Sequence, residues 1–566
     1  MAVNLQTKPF YLDETGVGWV ETTLRSMSLE DKAGQLFCTH ILREDEDIGD
    51  VFNVLKPGAI MYRTLPLEVA VKFSNFLNAT SEIPMLIAAN LEKGGVGIVE
   101  EGTLVGAPMQ IAATADPGMA EKLGIVCAEE GLAAGANWAF APILDIDTNF
   151  RNPITNTRTF GIDPKTVRDM GLAYVNAVQS RGMAVSIKHF PGDGQDERDQ
   201  HLVTSINDMN CKSWDATYGQ VYKACIDAGA LTCMIGHIML PSYTRHFRPG
   251  IPDAEIMPAT LDATLLQNLL RDRLGFNGMI VTDATTMAGF TIAMSRKKAV
   301  PLTIACGCDM FLFARNLEED YMFMLEGIKT GVITSERLDE AVMRILAVKA
   351  ALGLHKPERL KPIDADRSRL AVGSELHYSY SREAADKSVT LVKEQPGVLP
   401  LRPEKYKKIL FHSIESTGGV SLYSVTEACS KVAEGLRNEG FCVDVFEPDA
   451  GREGKTPRTT DTTEVYDLIL YVANLATKSN QTTVRIEWAQ PMGANCGHYI
   501  NDVPTVFISL ENPYHLLDFP RAKTYINCYS NNDCTIGALI DKLCGRSEFK
   551  GKNPIDPFCG KWDARL

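Results

Sequence analysis

Several large classes of protein are excluded by what this 566-residue chain lacks. No apolar run reaches the roughly 18 residues that span a bilayer. The opening stretch, MAVNLQTKPFYLDETGVGW, has no basic segment followed by an apolar one. A cytoplasmic location with no membrane partner is therefore expected. Positive charge is scarce: 57 Lys and Arg face 71 Asp and Glu, a net charge of −14, which disfavours nucleic acid as the main partner. The 14 cysteines include no CxxC pair, and most sit inside apolar runs (Cys38, Cys127, Cys233, Cys306, Cys308) as small buried hydrophobes do. Neither a disulfide framework nor a zinc knuckle is expected. No GxGxxG or GxxxxGK[ST] follows a strand-like run, Gly418-Gly419 reads only as a turn, and no internal repeat is present.

What is present is a globular composition, 45% hydrophobic and 23% charged, in a chain too long for one ordinary domain. From about residue 30 to 355, short apolar runs alternate with segments of helical period. The runs are Gln35 to Thr39, Gly58 to Arg63, Met85 to Asn90, Ala139 to Asp147, Ala184 to His189, Leu231 to His237, Met279 to Asp283 and Asp309 to Arg315. Eight such alternations predict a (β/α)₈ barrel over residues 1–355. Among the helical segments, Glu336 to Leu352 is expected to start at Ser335. The charged, Pro-containing stretch from Leu354 to Arg369 breaks the rhythm, and a linker is assigned to 356–385. Six more apolar runs follow, with helical segments at Val425 to Asn438 and Ile536 to Leu543. They predict an αβα sandwich over 386–566 built on an open, mostly parallel sheet.

The ends of the barrel runs carry the chemistry. Nearly every one finishes in polar groups: His40, Arg63, Asn90 and Glu92, Asp145 and Asp147, Lys188 and His189, His237, Asp283, Arg315. In a barrel these positions converge on the rim where active sites are built. The densest stretch is IKHFPGDGQDERDQHL, Ile187 to Leu202. It places Lys188 and His189 at a strand end and Asp199 and His201 two residues apart, where an extended backbone lets the carboxylate hold the imidazole. Two reaction classes use such a set. In one, Asp283 attacks an anomeric carbon while His201, backed by Asp199, serves as acid and then base. In the other, His40, Lys188, His189, His237 and Asp283 hold metal for a barrel amidohydrolase, although His40 lacks the HxH partner expected there and the loop dyad has no role.

The ordered motifs resemble glycoside hydrolase family 3, in its β-N-acetylglucosaminidase branch. They are KHFPGDG with DQH after it (Lys188 to His201), APILDID (Ala141 to Asp147), NP with TRTFGIDP (Asn152 to Pro164), GHIMLP (Gly236 to Pro241) and PATL with LLRDRLGFNGMIVTD (Pro258 to Asp283). SREAADKSVTLVKEQPGVLPL (Ser381 to Leu401) extends the likeness into the second domain. The resemblance implies Asp283 as nucleophile, His201 as acid/base and Asp199 as its partner. It further implies Arg158, Lys188 and His189 as binders of sugar hydroxyls and Met287 beside an N-acetyl group, with Asn90, Asp145 and His237 completing the sugar site. The family's DQEGGR stands here as Asn90-Leu-Glu-Lys-Gly-Gly95, so a carboxylate that grips the sugar has become an amide. Asp193 stands where His is more common, and Gln200 where Ser or Thr is.

The expectation is a retaining exo-β-N-acetylhexosaminidase that needs no cofactor or metal and acts on a small N-acetylglucosaminide. Phosphate in place of water would make the same residues a phosphorylase. Gly192 and Gly194 are expected to act as hinges that let the loop bring His201 to the glycosidic oxygen.

Overall fold

The computed structural model describes residues 3–46, 48–415, 427–447, 458–477, 479–489 and 493–566. Gly418-Gly419, and the first residues of the helix expected from Val425, lie outside them. The chain forms two compact units.

The barrel sheet of the first unit has, among the described residues, eight parallel strands: β1 (Phe37–Ile41), β2 (Ala59–Tyr62), β3 (Leu86–Ala89), β4 (Trp138–Ala139), β5 (Ala184–Phe190), β6 (Thr232–Ile235), β7 (Met279–Thr282) and β8 (Phe311–Leu312). Their order is β8-β1-β2-β3-β4-β5-β6-β7, and a parallel bridge from Val281 to Met310 joins the two ends of the sheet. The barrel expected from the eight apolar runs is therefore present. Each of β2, β3, β6 and β7 is buried along its whole length. A strand with helices on one side and barrel interior on the other requires this, and it explains why the runs are apolar on both faces.

β4 is shorter than its apolar run. Pro142 has no N–H to give the ladder, and beyond it the chain follows β5 through irregular bonds, Lys188 N to Pro142 O at 3.2 Å and Leu144 N to Lys188 O at 2.6 Å. The chain is wound as π-helix over Asp215–Gly219 and Thr264–Arg273. The helix expected at Ser335 is capped one residue earlier, where the Thr334 hydroxyl accepts from Arg337 N.

The division between units differs from a simple boundary. The segment assigned as a linker contains the helices Ala365–Ala371 and Glu375–Ser388, and the first unit ends at Tyr378, inside the second of these. Two excursions of the barrel sequence, Gly106–Met119 and Phe150–Ile162, belong to the second unit. They are tied in there by Gln110 Nε2 donating to Thr535 Oγ1 at 2.8 Å, Asn156 Nδ2 to Asn512 Oδ1 at 3.1 Å and Ile162 N to Pro554 O at 3.0 Å.

The second unit holds β9 (Thr390–Lys393), β10 (Lys408–Glu415), β11 (Cys442–Val445), β12 (Leu468–Asn474), β13 (Thr505–Ser509) and β14 (Thr524–Asn527). The order is β9-β14-β13-β12-β10-β11, parallel except for the antiparallel edge pair β9 and β14. Alternate residues of β12 serve opposite faces. Leu468, Leu470 and Val472 pack with the helices Ala428–Asn438 and Asp533–Leu543, while Ile469, Tyr471 and Ala473 pack with Ile486, Val503, Leu516 and Phe519.

Two histidines of this unit are buried in apolar surroundings. Neither ring nitrogen of His515 has a hydrogen-bond partner among the described residues, and His412 stacks on Tyr471 with centroids 4.4 Å apart. Burial pushes them down from the ordinary 6.5 to about 4 and about 3, respectively. Between those values and 6.5 the unfolded chain binds the protons that the folded unit refuses, so stability is lost as the pH is lowered through that window. Each histidine should cost this unit about 2 kcal/mol between about pH 7 and pH 5, read as a lower thermal midpoint, and His515→Phe should flatten that slope. An unchanged slope would contradict a neutral His515.

Candidate active site

The polar groups at the C-terminal ends of the barrel strands form a connected lattice. At the end of β5, Lys188 donates to Glu92 Oε1 at 2.7 Å, with both side chains nearly inaccessible. Next to it, His189 Nδ1 meets Asp145 Oδ2 at 2.7 Å, while Asp145 Oδ1 accepts from the backbone N–H of His189 at 3.1 Å and of Asp193 at 2.8 Å. Asp145 thus accepts the proton on His189 Nδ1 and fixes the orientation of the ring. That aims Nε2 at Asp283, 3.8 Å from its Oδ2.

Asp283 follows β7 and is held by two backbone bonds: its N–H donates to Ile235 O at 2.8 Å, and its Oδ1 accepts from Ala284 N at 2.7 Å. Burial by itself would raise its pKa. The imidazoles of His189, His237 and His201, together with the Ala284 N–H, outweigh that and hold the carboxyl below its ordinary range. Asp283 is therefore an ionised carboxylate that retains a small exposed area, 14% of its side chain, toward the mouth.

His237, one residue beyond Gly236 at the end of β6, is fully buried, which pushes its pKa down. Its Nε2 lies 3.0 Å from Ala284 O and its Nδ1 3.1 Å from Thr260 Oγ1. Nε2 donates to that carbonyl, and the Thr260 hydroxyl pairs with Nδ1, so both ring nitrogens are engaged. Met287, buried, precedes the short helix Ala288–Thr291 and donates its N–H to Ala284 O at 3.0 Å. Asn90 follows β3 and is half-buried.

The loop after β5 carries the expected dyad. Asp199 Oδ1 accepts from His201 Nδ1 at 2.6 Å and from the His201 backbone N–H at 2.9 Å. Asp199 is wholly inaccessible, whereas His201 keeps 27% of its side chain exposed, leaving Nε2 available for proton transfer. The loop is pinned to the segment after Asp283, with Ala288 N donating to His201 O at 3.0 Å and Gly289 N to Gln200 O at 3.1 Å.

The hinge expectation for Gly192 and Gly194 is corrected by their surroundings. Both have positive φ, 116° and 101°, and a Cβ on either would collide, with the Tyr218 ring at Gly192 and with the Ile146 carbonyl at Gly194. They are glycines because backbone passes close to a ring and a carbonyl, and Tyr218 OH donates to Asp193 O at 2.5 Å over the same spot.

Arg158 belongs to the second unit, in the excursion Phe150–Ile162, where its Nη1 donates to Ile154 O at 3.2 Å. Glu92, Asp193 and Gln200 are part of the lattice although sequence reasoning gave them no site role. Glu92 could have been found, since it stands two residues past Asn90 among the polar strand ends. The two departures within the loop, Asp193 and Gln200, meet: Gln200 Nε2 donates to Asp193 Oδ2 at 3.4 Å.

The donor set for the metal reading does not assemble. Lys188 is committed to Glu92, both His237 nitrogens are engaged, and His40 packs edge-on against Phe313 with centroids 4.7 Å apart. Among the described residues no three His, Cys, Asp or Glu side chains are grouped as a metal ion needs. Nor is any helix among them long and apolar enough to cross a membrane.

The eight-stranded parallel barrel followed by a separate sheet domain agrees with the family comparison. Residues 28–348 match the Glycosyl hydrolase family 3 N terminal domain, and the chain belongs to that family. It is 49% identical, over the full length of both chains, to a Beta-N-acetylglucosaminidase/beta-glucosidase of Cellulomonas fimi. A solved structure titled Beta-glucoside phosphorylase BglX is 44% identical, covers 99% of each chain and superposes with a TM-score of 0.92. A family 3 β-N-acetylglucosaminidase from a Paenibacillus species, 22% identical, covers 95% of this chain and all of its own with a TM-score of 0.79, sharing the fold.

Gly192→Ala should lower the thermal midpoint by an amount equivalent to more than about 1 kcal/mol, because positive φ and the Tyr218 ring both oppose it. A variant as stable as the parent would restore the hinge reading.

Proposed function

We propose that this chain releases terminal β-linked N-acetylglucosaminyl residues, and β-glucosyl residues as well, by double displacement with retained configuration. The observation that carries the proposal is the 2.6 Å Asp199–His201 pair, which presents a free Nε2 on the rim that holds the ionised Asp283. In the first step a carboxylate oxygen of Asp283 bonds to the anomeric carbon as the glycosidic C–O bond breaks. The His201 Nε2 proton passes to the departing oxygen, and Asp199 stabilises the imidazolium before it does so. Lys188, His189, Asp145 and Asn90 serve the sugar hydroxyls, His237 orders the rim beside Asp283, and Met287 lies by the 2-substituent. Double activity on N-acetylglucosaminides and glucosides fits the name of the Cellulomonas fimi relative.

The second step has two candidate acceptors. With water, its oxygen bonds to the anomeric carbon as the Asp283 ester bond breaks, His201 takes the water proton, and the free sugar leaves. With inorganic phosphate, the anion attacks the same carbon, the Asp283 ester bond breaks, and a sugar 1-phosphate leaves. Phosphate is favoured by the imidazole itself: a deprotonated His201 is neutral, where a carboxylate base would repel the incoming dianion. The 44% identity to a protein titled a β-glucoside phosphorylase points the same way.

Asp283→Ala should lower turnover by roughly 10⁴-fold or more on every substrate. His201→Ala should lower kcat/KM by about 10²- to 10⁴-fold on glycosides with poor leaving groups while sparing activated aryl glycosides. Equal collapse on both types would contradict the acid/base role. Aryl β-N-acetylglucosaminide, N-acetylgalactosaminide, glucoside and xyloside, each assayed with and without phosphate, separate the acceptors. Faster turnover and a sugar 1-phosphate product are expected with phosphate, and a rate and product indifferent to it would leave water as the acceptor.

A further inference from the structure

We propose that Gln200 is a positioning residue for catalysis. Its side chain staples the loop bearing Asp199 and His201 to the ends of β5 and β6, so that the dyad stands at the mouth before substrate arrives. Gln200 lies between the two members of the dyad and is 2% exposed. Its Oε1 accepts the backbone N–H of His237 at 2.8 Å, and its Nε2 donates to Asp193 Oδ2 at 3.4 Å. Its carbonyl accepts Gly289 N at 3.1 Å. One residue therefore touches the segments that follow β5, β6 and β7.

Both anchors are themselves fixed. Asp193 is held by its N–H on Asp145 and by Tyr218 OH on its carbonyl. His237 is held by Thr260 and by Ala284, the residue after Asp283. The neighbourhood leaves the staple no slack: a Cβ on Gly236 would stand 3.1 Å from Gln200 Oε1, and a Cβ on Gly289 would collide with the Gln200 carbonyl.

The chemistry requires an amide of this length. One end of the side chain must accept from a backbone N–H while the other donates to a carboxylate, and the planar amide of Asn and Gln carries both functions side by side. Asn is one methylene shorter. Glu would turn a second carboxylate oxygen on Asp193, and Ser cannot bridge both anchors. Without the staple, residues 199–204 lose the side-chain tie to His237 and Asp193 and keep the backbone bonds to Ala288 and Gly289 and the Thr204 hydroxyl on Gly289 O at 2.8 Å. His201 would then reach the glycosidic oxygen only part of the time.

The proposal rests on His201 being the acid/base. The test compares the parent with Gln200→Ser, Gln200→Met and His201→Ala on aryl β-glycosides of graded leaving-group ability, together with amide hydrogen exchange of the loop. In both Gln200 variants, kcat/KM should stay within about threefold on the most activated glycoside and fall about tenfold or more on the least activated, moving toward the His201→Ala pattern. Exchange of amides 199–204 should quicken about tenfold or more with the rest of the barrel unchanged. A loss of equal size on all substrates, or parental kinetics and exchange, would overturn the staple while a steep His201→Ala series kept the acid/base reading intact. If His201→Ala itself gave equal losses on all substrates, the acid/base reading would fail. Exchange would then judge the staple alone, with quickened exchange supporting it and parental exchange overturning it.

Discussion

One buried carboxylate organises the mouth of this barrel. Asp145, at the end of the apolar run that starts with β4, is 1% exposed and accepts three hydrogen bonds, two from His189 and one from Asp193. A buried charge is tolerated only when it is satisfied in this way. Satisfying it fixes the His189 ring, whose far nitrogen then faces Asp283, and it fixes the base of the β5 loop, from which Gln200 reaches across to His237. The remaining rim charge, Lys188, is matched by Glu92. The polar groups of the mouth hold one another in place, and preorganisation of that kind lets fixed charges act without reorganising during the reaction.

The two carboxylates with proposed chemical roles are treated oppositely. Asp199 is wholly inaccessible and spends one oxygen on the ring and the backbone N–H of His201, so it orients and stabilises a cation. Asp283 keeps some exposure and lies among imidazoles that hold it ionised. One carboxylate is hidden behind the proton carrier while the other is open to a reacting carbon. This division of labour allows a neutral base to work beside a nucleophile.

Much of the architecture was legible in the sequence because burial on both faces forces continuous apolar runs, and eight of them between helical segments leave few alternatives. The dyad was legible for a similarly local reason, since Asp199 and His201 are two residues apart. Contacts between distant residues were not. Nothing in the sequence told that Asp193 and Gln200 bond to each other, or that Glu92 is the partner of Lys188. Gly192 and Gly194 read as hinges because glycine permits motion, yet here each is needed for close approach to a ring or a carbonyl. The placement of 106–119 and 150–162 in the second unit was equally hidden, since those excursions carry no change of composition, only contacts with residues hundreds of positions away, polar at Gln110 and Asn156 and apolar at Met109 and Phe150.

The central claim is that the carboxylate at the end of β7 forms the bond to the sugar. Its most direct test is to incubate the protein briefly with an activated 2-deoxy-2-fluoro-β-glucoside, whose fluorine slows the breakdown of a glycosyl ester, and to map the adduct by peptide mass spectrometry. One glycosyl group per chain on the peptide containing Asp283, lost on Asp283→Ala, is the predicted result. An adduct on any other carboxylate, or continued release of the aglycone with no adduct on Asp283, would contradict it.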